Sequence, residues 1–78
     1  MYMNGIGVKA NTFQATALFR KACHSGEPLG CNNLAVAYRF GRGVKQDSAE
    51  ALKYYGKACD LKDQNGCDNY AELKRGKQ

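Results

Sequence analysis

The sequence predicts an all-α chain, a solenoid of helix–turn–helix units stapled by disulfides. Three observations predict it. The chain repeats itself at an offset of 36 residues. Apolar residues recur at three- and four-residue intervals behind two helix-capping sequences. The spacing Cys-x7-Cys occurs twice, at Cys23 and Cys31 and again at Cys59 and Cys67.

The repeat sets the organisation. Tyr2, Gly5, Gly7, Val8 and Lys9 return as Tyr38, Gly41, Gly43, Val44 and Lys45, and Lys21-Ala22-Cys23 returns as Lys57-Ala58-Cys59. Ala15, Gly30, Cys31, Asn33 and Ala35 match Ala51, Gly66, Cys67, Asn69 and Ala71. Self-similarity at such a period marks a stacked array, in which each unit buries its apolar face against its neighbours. The chain therefore divides as one repeat domain, 1–78. Residues 1–10 read as the end of a preceding repeat and its connector, 11–46 as the first repeat, and 47–78 as a second, capping repeat.

Each unit reads as two helices. Asp47-Ser48-Ala49-Glu50 is a capping-box pattern: the aspartate accepts from free N–H groups and the glutamate reaches back to the cap. Asn11-Thr12-Phe13-Gln14 is the same device with glutamine in the returning role. Behind them, Ala15, Leu18, Phe19 and Ala22 correspond to Ala51, Tyr54, Tyr55 and Ala58 as an inward face. Residues 24–30 and 60–66 carry the Gly, Pro, Ser, Asn and Asp of connectors, and a second helix is expected from near Cys31 and Cys67. It places Leu34, Ala35 and Tyr38 inward, with Tyr70, Ala71 and Lys74 at the matching positions. Gly41 then stops the helix in a left-handed conformation, and Val44 is placed to plug the seam. Glu72 and Gly76 replace Val36 and Phe40, a polar exchange suited to a capping helix.

In each unit one cysteine ends the first helix and the other begins the second, so an antiparallel pair sets them side by side. Their Cα atoms can then approach to the roughly 5.5–6 Å that a disulfide needs. Closing a loop of about nine residues stabilises by about 2.5–3 kcal/mol in the chain-entropy account. Free thiols and a zinc site are the alternatives. Structural zinc takes cysteine pairs spaced by two to four residues, whereas seven intervene here, twice. Disulfides point to an oxidising compartment, secreted or periplasmic. No basic-then-apolar signal peptide is read at the start.

Seventy-eight residues bury only about 60% of the unfolded surface, so the staples matter. Net charge is +5, but the cations are dispersed and interleaved with acids, clustering only at Lys74-Arg75-Gly76-Lys77. That pattern lacks the single basic stripe with stacking aromatics of a nucleic-acid surface. No apolar run approaches the ~20 residues of a membrane span.

The units resemble the Sel-like repeat proteins, relatives of the tetratricopeptide repeats, and in particular their Helicobacter cysteine-rich branch. The residues that carry the resemblance are Lys21-Ala22-Cys23 through Cys31-Asn32-Asn33, Lys57-Ala58-Cys59 through Cys67-Asp68-Asn69, and Tyr38 through Gly41, Gly43 and Val44. It covers nearly the whole chain, although two full units are fewer than such proteins usually carry. It implies an all-α solenoid with an intra-unit disulfide in every repeat, a secreted or periplasmic location, and the scaffolding of protein complexes. Some members of the cysteine-rich branch are described as penicillin-binding proteins or weak β-lactamases.

The leading functional reading is a non-catalytic scaffold that binds a peptide or protein partner on a concave helical surface. Asn33, Tyr38 and Asn69 are the candidate contact residues, since recurring amides can grip an extended backbone. The alternative is a hydrolase with a β-lactam or cell-wall-like ligand, which rests on resemblance alone. A serine β-lactamase needs Ser-x-x-Lys, but Ser25 is followed at that distance by Pro28 and Ser48 by Ala51. A single histidine, His24, sits in a connector, so neither a catalytic constellation, a metal site nor a cofactor is expected. The apolar start, Met1, Tyr2 and Met3, suggests self-association or packing against a further unit.

Overall fold

In a computed structural model, which describes residues 8–76 and side chains from residue 12, the chain is four helices: α1 Val8–His24, α2 Pro28–Phe40, α3 Ser48–Asp60 and α4 Gln64–Lys74. Among the described residues there is no strand. Each helix packs on the next, and α2 also touches α4, whereas α1 and α3 do not meet. The expected start, Met1 to Gly7, lies outside the described residues.

Both hairpins turn on one geometry. Gly26 N–H donates to Cys23 O at 2.9 Å and Glu27 N–H to Ala22 O at 3.0 Å. In the second unit Lys62 N–H donates to Cys59 O at 2.9 Å and Asp63 N–H to Ala58 O at 3.1 Å. These paired bonds satisfy the last helical carbonyls around one left-handed residue, Gly26 (φ 88°) or Lys62 (φ 74°). The end of α2 repeats the motif at Gly41, φ 69°, with Arg42 N–H donating to Ala37 O at 2.8 Å.

The second helices begin three residues earlier than the connector composition suggested, at Pro28 and Gln64, leaving only residues 25–27 and 61–63 as turns. Pro28 opens α2, where its missing N–H is no loss. Asp63 caps α4 by accepting from Asn65 N–H at 3.1 Å. Gly30 and Gly66 are then helical, and both are buried. A Cβ on Gly30 would lie 2.5 Å from Ala22 Cβ, and one on Gly66 2.6 Å from Ala58 Cβ. The two helices of each hairpin touch there through bare backbone.

Cys23–Cys31 and Cys59–Cys67 are disulfides, with Cα atoms 4.4 and 4.5 Å apart. All four cysteines are thus consumed in intra-unit bridges, and neither free thiols nor a shared metal describes them. The Cys23–Cys31 bridge is buried in the core with Leu34, Ala35, Ala51, Tyr54, Tyr55, Ala58 and Leu73, and Phe19, Val36, Leu52 and Tyr70 pack against this cluster, whereas Cys59 and Cys67 are half-buried outside it.

Several local expectations are corrected. Asp47 caps α3 by accepting from Ala49 and Glu50 N–H at 3.0 and 3.3 Å. Glu50 does not return the bond, because Asp47 N–H already donates to Tyr38 O at 2.9 Å; Glu50 instead sits 4.0 Å from Lys53. Asn11 is no cap at all: α1 starts at Val8, so Asn11 and Thr12 are interior. The bonds of Asp47 to Tyr38 and of Gln46 Nε2 to Arg39 O at 2.8 Å hold the second unit's chain out of helix up to Asp47. Their counterparts one repeat earlier fall at residues 2 and 3, outside the described residues. Leu18 is 63% exposed where Tyr54 is 6%, and Ala71 and Lys74 face solvent, since each lies on an outer helix with no described neighbour beyond it.

The turn and the bare contact make opposite predictions. Gly66→Ala forces α3 and α4 apart and is expected to lower stability by about 1–3 kcal/mol. Lys62→Gly relieves a left-handed lysine and is expected to raise it by up to about 1 kcal/mol. Urea unfolding followed by circular dichroism, with disulfides intact, measures both.

Candidate functional site

α1 and α3 both pack on α2, and Tyr38 of α2 bridges them by contacts to Arg20 of one and Tyr54 of the other. Arg20 of α1 donates from Nη1 to the Tyr38 hydroxyl at 3.2 Å. From the α3 side the Tyr54 ring stacks on Tyr38, centroids 5.8 Å apart and planes inclined by 8°. Lys53 Nζ lies 5.2 Å from the Tyr54 ring centroid. The result is a ladder of cation, phenol, phenol and cation, worth more than its buried area because each ring face meets positive charge or another ring. The Tyr38 hydrogen bond pushes the Arg20 pKa up, against the opposing effect of burial.

On the opposite side α2 meets α4. Asn69 Nδ2 donates to Asn32 Oδ1 at 3.2 Å, and Arg39 lies 3.7 Å from Glu72. Arg39 is buried although charged; its guanidinium also lies 5.4 Å from the Phe40 ring centroid. The two contacts are seven residues apart on α2 and so share one face. They fix the register of the second hairpin on the first.

A third feature is a groove of about 410 Å³ between α1 and α2, lined by Ala15, Thr16, Phe19, Asn33, Val36 and Ala37 among others. Thr16 Oγ1 donates to Arg42 O at 2.9 Å and ties the α2–α3 connection to α1 at its edge. A neighbouring hollow holds Val44 with Thr12, Phe13 and Lys45. Val44 is half-buried there.

The three candidate contact residues thus occupy three places. Tyr38 is half-buried between Arg20 and Tyr54, Asn33 lines the α1–α2 groove, and Asn69 is engaged with Asn32. Sequence reasoning missed Arg20, Lys53 and Asn32. Arg20 stands where the second unit has Gly56, and Asn32 where it has Asp68, so the repeat singled out neither. Ser25 lies in the first turn, Ser48 at the first position of α3 and His24 exposed at the end of α1. Among the described residues no three His, Cys, Asp or Glu side chains could hold a metal, and no helix is long and apolar enough to cross a membrane.

A family model described as Sel1 repeat matches residues 1–27 and 28–63, most of the chain. No curated protein and no solved structure matches it.

The α2–α4 register gives a measurable coupling. Asn32→Ala and Asn69→Ala are each expected to cost about 1 kcal/mol, and the double variant to cost less than their sum by about 0.5–1 kcal/mol. A thermodynamic cycle from urea unfolding of the four proteins reads that term.

Proposed function

This chain belongs to the Sel1 repeat family, and on that premise we propose that it is a non-catalytic interaction module that receives a peptide or protein partner along the Arg20–Tyr38–Tyr54–Lys53 contacts between α1, α2 and α3. Sel1 repeats generally mediate protein–protein interaction. The observation that carries the reading is the Arg20–Tyr38–Tyr54–Lys53 ladder. It presents two cations and a half-buried phenol on a stapled framework. Tyr38 is the principal contact. Asn33 lines a separate groove, and Asn69 acts through Asn32 to set the helix register.

The two disulfides hint at an oxidising compartment, and we place the protein in the periplasm or outside the cell. The same bridges, one per unit, support membership of the cysteine-rich branch of the family. A β-lactam or cell-wall-like ligand would enter as a bound molecule in this scheme, since Ser25 and Ser48 carry no lysine at the spacing a serine β-lactamase uses.

Two assays decide between scaffold and hydrolase. Purified oxidised protein is expected to leave nitrocefin unhydrolysed over hours; turnover abolished by Ser48→Ala or Ser25→Ala would establish the hydrolase. Displayed peptide libraries selected on the full chain are expected to yield sequences whose affinity falls roughly tenfold, about 1.4 kcal/mol, in Arg20→Ala. Lys74→Ala should leave it unchanged. Selected peptides indifferent to Arg20→Ala and to Lys53→Ala would remove the ladder from the proposal.

A further inference from the structure

The two disulfides are alike in spacing and unlike in setting. Cys23 and Cys31 are 0% exposed and lie inside the core with residues of α2 and α3. Cys59 and Cys67 are half-buried outside that cluster. The repeat shows where the difference arises. Leu34 and Ala35 of α2 are buried, whereas their counterparts in α4, Tyr70 and Ala71, are half-buried and exposed. Lys74, exposed, stands where α2 has Tyr38. The side of α2 that packs against α3 is, in α4, open to water.

α4 is also lightly anchored. Gly66 and Leu73 are its buried residues, and Leu73 is its one member of the core cluster, the rest lying on α1, α2 and α3. Its ties to α2 are the Asn69–Asn32 bond and the contact of half-exposed Glu72 with Arg39. Its ties to α3 include the bare approach of Gly66 to Ala58 and the bridge itself.

We infer that Cys59–Cys67 is a thiol-exchange site, opened by a dithiol reductant while Cys23–Cys31 stays closed, and that opening it frees α4 from a framework of α1, α2 and α3. A thiolate of the reductant attacks Cys59 Sγ; a new S–S bond forms, the Cys59–Cys67 bond breaks, and its electron pair leaves on Cys67 Sγ. The reductant's second thiolate then attacks its own sulfur in the mixed disulfide, closing a disulfide in the reductant and releasing Cys59. The two protons of the dithiol end on Cys59 and Cys67, so two electrons pass to the protein. Cys67 lies in the first turn of α4, where the helix dipole favours a departing thiolate. Cys31 holds the same place in α2, so access rather than leaving-group chemistry separates the bridges. A thiolate reaches Cys23–Cys31 only through rare openings of the core. Departure of α4 uncovers Asn32 and Arg39 of α2.

The test treats the full oxidised chain with dithiothreitol under native conditions, quenches aliquots with N-ethylmaleimide and maps the labelled cysteines by mass spectrometry. Cys59 and Cys67 are expected to label at least roughly a hundredfold faster than Cys23 and Cys31. In the half-reduced protein, hydrogen exchange is expected to show the amides of α4 losing protection while those of α1, α2 and α3 keep it. Cys59→Ser combined with Cys67→Ser is expected to reproduce that pattern without reductant. Equal labelling rates, or earlier labelling at Cys23 and Cys31, would overturn the inference. So would loss of protection throughout the chain, on reduction or in the serine variant, by making the second bridge a staple of the whole fold. An α4 that stays protected after reduction would overturn it too. The Arg20–Tyr38–Tyr54–Lys53 ladder has no member on α4, and the labelling needs no bound peptide, so its outcome is independent of whether the ladder receives a partner.

Discussion

The whole arrangement depends on how closely two helices can pass at the bend of each hairpin. Gly30 lies over Ala22 and Gly66 over Ala58 with no room for another carbon, and this contact lets the neighbouring cysteines pair at Cα separations of 4.4 and 4.5 Å. Small residues permit the approach, and the sulfur bridge then makes the alternative, an open chain, less accessible by about 2.5 kcal/mol. Neither element suffices alone. A bulkier residue beside the bridge would hold the helices apart, and an unbridged pair would rest on a core that a chain of 78 residues can barely supply.

Between the hairpins the chemistry is of a different kind. One side is joined by stacked phenols and flanking cations, the other by an amide pair and a half-exposed ion pair. Arg39 is nearly enclosed, so the Glu72 contact offsets desolvation more than it adds stability. Its larger effect is on register, since any slip of α4 along α2 separates both the charges and the amides. The seam is thereby specific without being very apolar, and the bridged hairpins remain the rigid bodies on either side of it.

Much of this could be read from the residues. Cysteine spacing, the 36-residue offset and the 3–4-residue apolar rhythm led to the helix pairs, the bridges and the left-handed stop at Gly41. What escaped was decided by contacts rather than by composition. The connectors looked longer than they are because Pro28 and Gly30 count as loop formers until one sees that the first opens a helix and the second touches its neighbour. Leu18 looked like core because its counterpart Tyr54 is core, and only a helix on its far side could make it so. The half-completed cap at Asp47 was hidden because its N–H had gone to Tyr38, nine positions away. The ladder through Tyr38 and Tyr54 was the least legible feature, since Arg20 and Lys53 belong to different repeat positions and meet only through two rings.

Each bridge joins cysteines separated by eight positions within one hairpin. Four cysteines can pair in three ways, yet the correct partner is always the nearest along the strand and the one a nascent turn brings together first. Oxidation can therefore finish within one hairpin independently of the other. Adding further units of this design would multiply the cysteines without multiplying the errors, and such a molecule could change its length without enlisting an isomerase.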